Sequence, residues 1–557
     1  MRIFDCVLYN GEIEVLLLRL HELHEDIDVF VVVEATRTFS GIPKALHLRA
    51  QWDQVRPFAR KIRYIVIADD IEQGGPWDRE RFQRNSIERG LLDAVESDLI
   101  CASDVDEIPR ADVIRKLRNG PPRLIGFRLL FSYFFLNYRN TVGPEANLTW
   151  CCAFPRSALE RYTPDQLRYG IRDGSIAAEQ INNAGWHFSY LADLKGIKQK
   201  IAAFSHQEFN TPAFLDSIDI RDTVWNRRDL FSRTGFVWEV VGVNDLPAHV
   251  QNDSQRYCHL IAKQDGRAAR PENTRSGWRR IVDRWQRRRE GEHDRRPLII
   301  CPYVYDDDRE QVIQAFGLNE QSGRHLPFFF WKDEKLIGPE RAFEQCWNQV
   351  PGRDVIIVHT DMRPMPQDPS NGWYAALCAQ AEQLPDAGLI GCDLLYPLKS
   401  PTGRWYVQCA GGYFKDGMLG HIGGGVSLID GVATQDAYEY DERFSKVRSS
   451  QWVTFGGVYI RRTTIDMVGA FDLRYQWAYV MDVDFCLEAH VRGQGIYQVP
   501  INLLHEESKT SKKFLVHPEY RAKQEGNVTE FYKKWAWYLE RSEKQRNAAS
   551  TDASRSS

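Results

Sequence analysis

The stretch Asp104-Val105-Asp106-Glu107-Ile108-Pro109, called the acidic turn below, decides how the first half of this chain is arranged. It follows the short, mostly apolar run 98–102, which predicts a buried strand. Pro109 cannot continue a strand ladder, so the chain turns and brings the oxygens of Asp104 and Asp106 into one small volume. In an open α/β sheet, ligands bind at the carboxyl ends of the strands. The stretch therefore predicts an α/β domain with a ligand site at this turn.

Two interpretations of the acidic turn remain open. Clustered carboxylates repel one another unless a cation or a proton neutralises them, and a hard divalent cation with oxygen ligands would do so. Such an ion would also bind the phosphate oxygens of a substrate. The other interpretation is a solvated turn that caps a helix over residues 110–118. A calcium EF-hand is excluded because its loop needs glycine where Pro109 stands.

Composition narrows the class of protein. A chain of 557 residues predicts more than one domain, and a net charge of -4 does not favour a nucleic-acid partner. The 11 cysteines are scattered without a CxxC pair, which favours reduced thiols in a cytoplasm. No apolar run of about 18 residues occurs, so we expect no membrane span. Asp5 comes too early for a secretion signal.

The first half alternates predicted strands and helices, which predicts a doubly wound α/β layout. The predicted strands cover 2–9, 28–34, 62–67 and the run into Asp104, and the predicted helices begin at Ile13 and span 77–94. The segment 185–190 places His187 between aromatic residues. A lone histidine there is more often a satisfied core residue than a ligand, whereas the aromatic wall would suit the face of a sugar or a base.

Several motifs of the first half follow one another in the order seen in glycosyltransferase family 17. They are Asp5-Cys6, Tyr9-Asn10, Val33-Glu34, Thr38-Phe39-Ser40-Gly41 with Lys44, Arg84-Asn85, the acidic turn, and Gly185-Trp186-His187-Phe188-Ser189. The resemblance covers about residues 1–252. It implies transfer of a sugar from a nucleotide-diphosphosugar, with UDP-N-acetylglucosamine as the expected donor. Animal members of the family are membrane-anchored secretory enzymes, so their glycoprotein acceptor is not carried over.

The family 17 resemblance also implies roles for individual residues. Asp104 and Asp106 would hold a Mn²⁺ or Mg²⁺ ion and the diphosphate, and His187 would be a further metal ligand. Asp106 is also placed among the catalytic residues, and the candidate base is Glu179, an acidic residue just upstream of Trp186. The other expected nucleotide-sugar contacts are Glu34, Lys44, Arg84, which would pair with phosphate, Asn85 and Trp186.

Residues 266–296 form a basic segment between the halves. Trp278, Ile281, Val282 and Trp285 make a narrow apolar stripe at helical spacing, surrounded by arginines. One interpretation is an interfacial helix at 275–289 that makes peripheral contact with anionic lipid. The other, which we favour, is a linker helix whose stripe packs on a neighbouring domain.

The strand–helix pattern restarts at Pro297. Predicted strands cover 298–304, 327–330, 354–359 and 496–499, and predicted helices cover 306–316 and 339–349. Asp361 follows the strand at 354–359, much as Asp106 follows its own strand. The two halves therefore look like two copies of one architecture.

The second half resembles the inverting glycosyltransferase family 2. The motifs are Val468-Gly469-Ala470-Phe471-Asp472, Met481-Asp482-Val483-Asp484-Phe485-Cys486-Leu487 and a later histidine, His505. The resemblance implies that Asp361 contacts metal or diphosphate, that Asp482 is the base, and that His505 contacts metal or phosphate. Asp484 is a further expected nucleotide-sugar contact, and Gly412 would let the backbone approach the diphosphate. Met481 stands where the family has glutamate, and the acidic motif is reduced to His359-Thr360-Asp361.

Together these patterns predict an α/β protein with two tandem GT-A (Rossmann-like) domains. The expected bounds are 1–265 for the first domain, 266–296 for the linker, 297–540 for the second domain and 541–557 for a disordered tail. The expected function is a bifunctional inverting transferase in the cytoplasm, at the inner face of a membrane, that acts on a glycan or a lipid-linked acceptor. The alternatives are one active domain beside a non-catalytic glycan-binding domain, or a glycoside hydrolase with paired carboxylates.

Overall fold

The structure is a computed structural model that describes residues 1–69, 74–263, 296–318, 326–368, 371–426, 436–475, 479–506 and 518–555. The chain divides into two compact units, Met1–Asp294 (unit 1) and Arg295–Ser557 (unit 2). Both units are mixed α/β, which confirms the predicted class, while the GT-A type stays a prediction. The basic segment 266–296, with its apolar stripe at 275–289, lies outside the described residues except for Arg296.

Unit 1 is built on a seven-stranded sheet, in the order β10-β6-β9-β4-β1-β2-β3, and a five-stranded sheet, in the order β12-β8-β7-β11-β5. The strands are β1 (Ile3–Leu8), β2 (Val29–Ala35), β3 (Ile62–Ile67), β4 (Leu99–Asp104), β5 (Glu107–Pro109), β6 (Ile125–Arg128), β7 (Leu130–Tyr133), β8 (Tyr138–Val142), β9 (Thr149–Pro155), β10 (Glu179–Ile181), β11 (Gly185–Ser189) and β12 (Val237–Val240). The first four strands pair in parallel, and β4 ends beside β1 with Asp104 opposite Leu8. Their apolar runs are buried along nearly their whole length, as a parallel sheet covered on both faces requires.

The helices of unit 1 follow the predicted alternation. They are Ile13–Leu23, His47–Ala50, Trp52–Val55, Pro76–Asn85, Ala111–Arg118, Pro164–Asp173, Leu194–Ala203, Pro212–Ser217, Ile220–Trp225 and Ala248–Asn252. The helix predicted over 77–94 ends at Asn85 and continues as a 3₁₀ turn, Ser86–Gly90. A Cβ atom on Gly90 would lie 2.5 Å from Cγ1 of Val31, so this turn packs closer to β2 than any other residue type allows.

Unit 2 is organised by a ten-stranded sheet. Its path is β14-β13-β15-β23-β17-β18-β21, and β24 pairs with β16, β17 and β22. Its ten strands are β13 (Leu298–Tyr303), β14 (Phe328–Lys332), β15 (Val355–Ile357), β16 (Met362–Pro364), β17 (Ala387–Lys399), β18 (Trp405–Cys409), β21 (Tyr438–Glu439), β22 (Arg448–Ser449), β23 (Val458–Ile460) and β24 (Gly495–His505), while β19 (Gly412–Lys415) and β20 (Met418–His421) form a separate two-stranded sheet. The helices are Asp306–Ala315, Pro339–Asn348, Gly372–Gln383, Arg462–Val468, Met481–Val491 and Pro518–Arg555.

The last helix differs from the expected disordered tail. It runs Pro518–Arg555, so the backbone is helical beyond residue 541. This segment is rich in Ala, Glu, Lys, Gln and Arg, which have high helix propensity. Phe531 and Trp535 are buried in the core of unit 2 and hold the first part of the helix in place. None of the helices in the described part of the chain is long and apolar enough to cross a membrane.

Candidate functional sites

The acidic turn of unit 1 lies where β4 ends, and its first carboxylate is held by two arginines. Asp104 accepts hydrogen bonds from Arg84 Nη1 at 2.9 Å and from Arg168 Nη2 at 3.0 Å, one to each oxygen. Burial alone would raise the pKa of Asp104, but the charges of Arg168 and Arg84 outweigh it and hold that pKa well below its ordinary value. Asp104 is therefore ionised at any physiological pH.

Asp106 has its own cation and a neighbouring imidazole. Lys200 Nζ donates to Asp106 Oδ2 at 2.8 Å, and His187 Nε2 lies 3.7 Å from Asp106 Oδ1. The antiparallel pairing of β5 with β11 places His187 opposite Glu107, which brings the imidazole to the acidic turn. Burial would lower the pKa of Lys200, but Asp106 and Glu12 raise it above its ordinary value, so the ammonium stays charged.

Glu107 shapes the turn rather than facing a ligand. It is fully buried, and its carboxylate accepts two hydrogen bonds from Arg168 at 2.7 Å and one from the backbone N–H of Asp104 at 2.8 Å. The acidic turn is thus neutralised by arginine and lysine side chains of the same unit. It is neither a solvated cap nor, among the described residues, a group whose ligand atoms converge on one point. The metal role of Asp104, Asp106 and His187 therefore stays a prediction, and as placed the two aspartates pair with Arg84, Arg168 and Lys200.

Glu179, the candidate base of unit 1, lies three strands away from the acidic turn. It is the first residue of β10, the edge strand in the order β10-β6-β9-β4. The strand register places Glu179 opposite Ile125 of β6, and so, through β9, at the level of Cys101 in β4. Glu179 is an exposed partner of Arg123 at 2.5 Å, and hydrogen bonding to Arg123 lowers its pKa. Strand order, which the sequence pattern did not give, separates Glu179 from the acidic turn in this arrangement, and its role as a base stays a prediction.

Glu34 and Lys44, two of the predicted nucleotide-sugar contacts, form an ion pair with each other. Lys44 Nζ donates to Glu34 at 3.0 Å, and the fully buried Glu34 also accepts from Tyr64 Oη at 2.6 Å. The same carboxylate accepts from the backbone N–H groups of His47 and Leu48 and so satisfies the start of the helix His47–Ala50. This pair stabilises the fold.

The other residues of unit 1 that were predicted to contact the nucleotide-sugar also bind to neighbouring residues of the same unit. Trp186 is 2% exposed, donates from Nε1 to the carbonyl of Asp245 at 2.7 Å and stacks beneath Arg110. The side-chain oxygen of Asn85 accepts from the backbone of Asp165. Arg84 is 2% exposed and pairs with Glu80 as well as Asp104, so it acts on the site through Asp104 rather than as an open phosphate-binding cation.

Unit 2 contains a cavity of about 800 Å³. It opens where β13 and β15 end, which is the edge at which α/β sheets bind ligands. Residues from many separate stretches of the chain between Pro302 and His505 line it, among them the predicted site residues Asp361, Asp482 and His505. Its volume lies in the range of cavities that hold a small organic ligand.

Three potential metal ligands meet on one wall of this cavity. The ligand atoms of His359, Asp361 and His505 lie within 4.8 Å of one another, and among the described residues no other group of three does so. His505 Nε2 is 3.1 Å from Asp361 Oδ1. Burial lowers the pKa of His359 to about 4, opposed by the charge of Asp361 and assisted by His505, so His359 is neutral at physiological pH. Two imidazoles and a carboxylate suit a divalent transition metal ion.

Asp482 lies on another part of the same cavity, at the start of the helix Met481–Val491. Burial raises its pKa to about 6, although backbone N–H groups, including that of Val483 at 2.9 Å, partly oppose the rise. An aspartate with this pKa is mostly ionised at pH 7 and is basic enough to accept a proton.

Asp484, only two residues further on, does not line the cavity. It is 4% exposed and accepts hydrogen bonds from Tyr475 Oη at 2.9 Å, Trp535 Nε1 at 2.7 Å and Lys534 Nζ at 2.9 Å. The prediction that it contacts a nucleotide-sugar is therefore corrected. A helix turns about 200° over two residues, so Asp484 points away from the cavity that Asp482 lines. Because Trp535 and Lys534 lie on the helix Pro518–Arg555, their hydrogen bonds to Asp484 anchor that helix.

Gly412 also has a packing role instead of the predicted diphosphate contact. A Cβ atom there would lie 1.9 Å from Cε2 of Trp452, so the missing side chain makes room for the indole ring. Trp452, in turn, lines the cavity.

Residues that the sequence did not single out complete both sites. Arg168 and Lys200 neutralise the acidic turn, His359 joins the metal-ligand group, and Gln408 contacts His505. An arginine or lysine on an amphipathic helix gives no sequence signal of its own. His359 alone could have been suspected, since it lies two residues before Asp361.

Comparison with known proteins bears on unit 1. Residues 1–260 match the family model of glycosyltransferase family 17, which confirms the resemblance found in the ordered motifs. Two relatives are the β-1,4-mannosyl-glycoprotein 4-β-N-acetylglucosaminyltransferases of Homo sapiens and Rattus norvegicus. Each is 25% identical over 252 residues, a match that covers 40% of this chain. The chain spans 46%, less than half, of the length of these relatives.

Solved structures give only weak likenesses. The crystal structure of GalNAc-T7 with UDP, GalNAc and Mn²⁺ aligns at a TM-score of 0.27 and 10% identity, covering 38% of this chain and 44% of that one. The structure of A197 from STIV aligns at a TM-score of 0.22 and 10% identity, covering 38% and 85%. Likenesses this weak support no conclusion about fold or function. The family 2 resemblance of unit 2 stays a prediction.

Proposed function

We propose that this chain is a bifunctional glycosyltransferase in which each unit transfers a sugar from a nucleotide-diphosphosugar to a glycan or a lipid-linked acceptor. The observation that carries the class of reaction is the match of residues 1–260 to glycosyltransferase family 17. The second transfer is supported by the cavity of unit 2, which brings a metal-ligand group and a basic aspartate together. The cytoplasmic location is a part of the proposal that rests on the cysteine pattern alone.

In unit 1, the proposed donor is UDP-N-acetylglucosamine, in keeping with the activity named for the relatives. As placed, the acidic turn does not fit a divalent ion, because both oxygens of Asp104 accept from guanidinium groups and Asp106 is paired with Lys200. The partly exposed groups are Asp104, whose side chain is 36% exposed, and Lys200, at 22%. Lys200 is the cation best placed to face a donor's phosphates, and Asp104 could accept a hydrogen bond from a sugar or ribose hydroxyl.

In unit 2, the proposed ion is Mn²⁺ or Mg²⁺, and the two imidazoles and one carboxylate favour Mn²⁺, which His359, Asp361 and His505 would hold. When bound, such an ion would neutralise the charge that develops on the leaving diphosphate. Asp482 accepts the proton of the acceptor hydroxyl as that oxygen attacks the anomeric carbon from the face opposite the diphosphate. Transfer by this single displacement inverts the anomeric configuration.

A second candidate function is one active unit beside a non-catalytic glycan-binding unit. The neutralised acidic turn favours it, because unit 1 would then bind a sugar without activating it. In this second candidate function, unit 1 is the inactive unit and unit 2 is the transferase.

Nucleotide release from a panel of sugar nucleotides tests both candidates. The full chain, Asp106→Asn and Asp482→Asn are compared in the presence of Mn²⁺. A bifunctional transferase requires that each substitution abolishes release from a different donor. If only Asp482→Asn has an effect, unit 1 is a binding unit, and if neither substitution has an effect, the proposed function is wrong.

A further inference from the structure

Gln408 lies between the metal-ligand group and the cavity of unit 2. It is in β18, is 7% exposed and lines the cavity. Its side-chain oxygen, Oε1, lies 2.6 Å from His505 Nδ1. Because a carboxamide oxygen can only accept, Nδ1 of His505 must carry the proton and donate.

This hydrogen bond fixes the form of the imidazole. A neutral histidine that donates from Nδ1 presents a lone pair at Nε2, and His505 Nε2 points toward Asp361 Oδ1 at 3.1 Å. A nitrogen lone pair and a carboxylate oxygen at that distance repel each other unless a cation or a proton lies between them, and a metal ion held by both atoms meets this requirement. Metal-ligating histidines usually have their second nitrogen oriented in this way by an acceptor.

The other end of the same carboxamide has no partner in the described part of the chain. Gln408 Nε2 is buried and makes no hydrogen bond there. A buried N–H donor without an acceptor costs free energy, so such a group at a cavity wall indicates that a ligand supplies the acceptor. The nearest ligand chemistry is an oxygen of the group held at the metal-ligand cluster, which in a sugar-nucleotide site is a diphosphate.

We propose that Gln408 serves both the metal and the donor in unit 2: its oxygen holds His505 in the metal-binding form, and its N–H group donates to a diphosphate oxygen of the nucleotide-sugar. The proposal rests on the proposed function of unit 2 and adds a specific contact to it. The proposal assigns two roles to one side chain, and two different substitutions of Gln408 distinguish them.

Two substitutions divide the two roles. Gln408→Glu keeps an acceptor for His505 Nδ1 but removes the donor and places negative charge beside the phosphates. Gln408→Met, of similar length, removes both. The full chain and each variant are titrated with Mn²⁺ alone, and then with UDP, GDP and dTDP in turn at saturating Mn²⁺. All are made on an Asp106→Asn background so that unit 1 is the same throughout.

We expect Gln408→Met to weaken Mn²⁺ binding by about 10–100-fold, the usual effect of losing such a supporting contact. Gln408→Glu should restore Mn²⁺ affinity to the level of the parent chain or tighter while weakening nucleoside diphosphate binding by about tenfold or more. Because Gln408→Glu would then bind Mn²⁺ normally, misfolding could not explain its weakened binding of nucleoside diphosphates. Mn²⁺ affinity that is unchanged in Gln408→Met, or nucleotide affinity that is unchanged in Gln408→Glu, would overturn the proposal.

Asp361→Asn distinguishes failure of this inference from failure of the proposed function. If the parent chain binds Mn²⁺ and Asp361→Asn abolishes that binding, the metal site exists and the Gln408 variants are decisive. If Asp361→Asn has no effect on Mn²⁺ binding, the proposed metal site of unit 2 is wrong, and the Gln408 proposal is wrong with it.

Discussion

Replacing Asp482 with asparagine should abolish transfer by unit 2 while making the folded chain more stable. Asparagine keeps the shape of the side chain but cannot accept the proton of the acceptor hydroxyl. A positioned general base contributes about 10²–10⁴-fold to a rate, equivalent to about 2.7–5.5 kcal/mol of the activation barrier. We therefore expect kcat to fall by that factor.

The gain in stability follows from the raised pKa of Asp482. Burial raises this pKa from 3.8 to about 6. Since the folded pKa lies above the unfolded one, the ionised carboxylate destabilises the folded state by up to about 3 kcal/mol above pH 6, and this cost disappears below pH 3.8. A neutral asparagine removes the cost. The variant should therefore melt at a higher temperature at pH 8, and the difference should vanish near pH 4.

The assay combines nucleotide release from the donor of unit 2 with thermal melting, both over pH 5–9, a range set by the pKa of about 6. In the parent chain, kcat/KM should rise about tenfold per pH unit below pH 6 and level off above it, because only the ionised base is active. The variant should lose this inflection. Activity within about threefold of the parent would show that Asp482 is not the base, and a melting temperature that falls at pH 8 would show that its ionised carboxylate does not destabilise the fold.

Three further predictions follow from the geometry. Asp484→Ala should destabilise the chain by about 2–4 kcal/mol, since it removes the acceptor of two buried donors, Trp535 Nε1 and Tyr475 Oη; thermal melting would show it, and an unchanged melting temperature would contradict the anchoring role. EDTA should abolish nucleotide release by unit 2, and Asp361→Asn should do the same at saturating Mn²⁺; full activity in both cases would exclude a metal role there. Lys200→Met should reduce nucleotide release by unit 1 by about tenfold or more, because Asp106 loses its cation, and it should leave release by unit 2 unchanged; equal losses in both units would indicate misfolding instead.

Local pattern predicted most elements but few contacts. The apolar run 28–34 became β2, the run 62–67 became β3, and Asp104 ends β4 as expected. These predictions succeed because burial on both faces of a parallel sheet leaves an apolar run that is visible within a few residues. The role of Glu34 was missed because its partners, Lys44 and Tyr64, come together only in the folded unit.

In the candidate sites, too, the local sequence predicted positions along the chain but not the contacts between side chains. The local sequence was enough to predict that carboxylates follow strands at Asp104 and Asp361, and that Asp482 lies at the start of a helix. The folded chain was needed to find that Arg84 and Arg168 neutralise Asp104, whereas His505, 144 residues from Asp361, contacts that aspartate. The cause of this difference is that hydrogen bonding and metal ligation depend on distances between side chains, and strand order and strand direction set those distances over sequence separations where no periodicity survives.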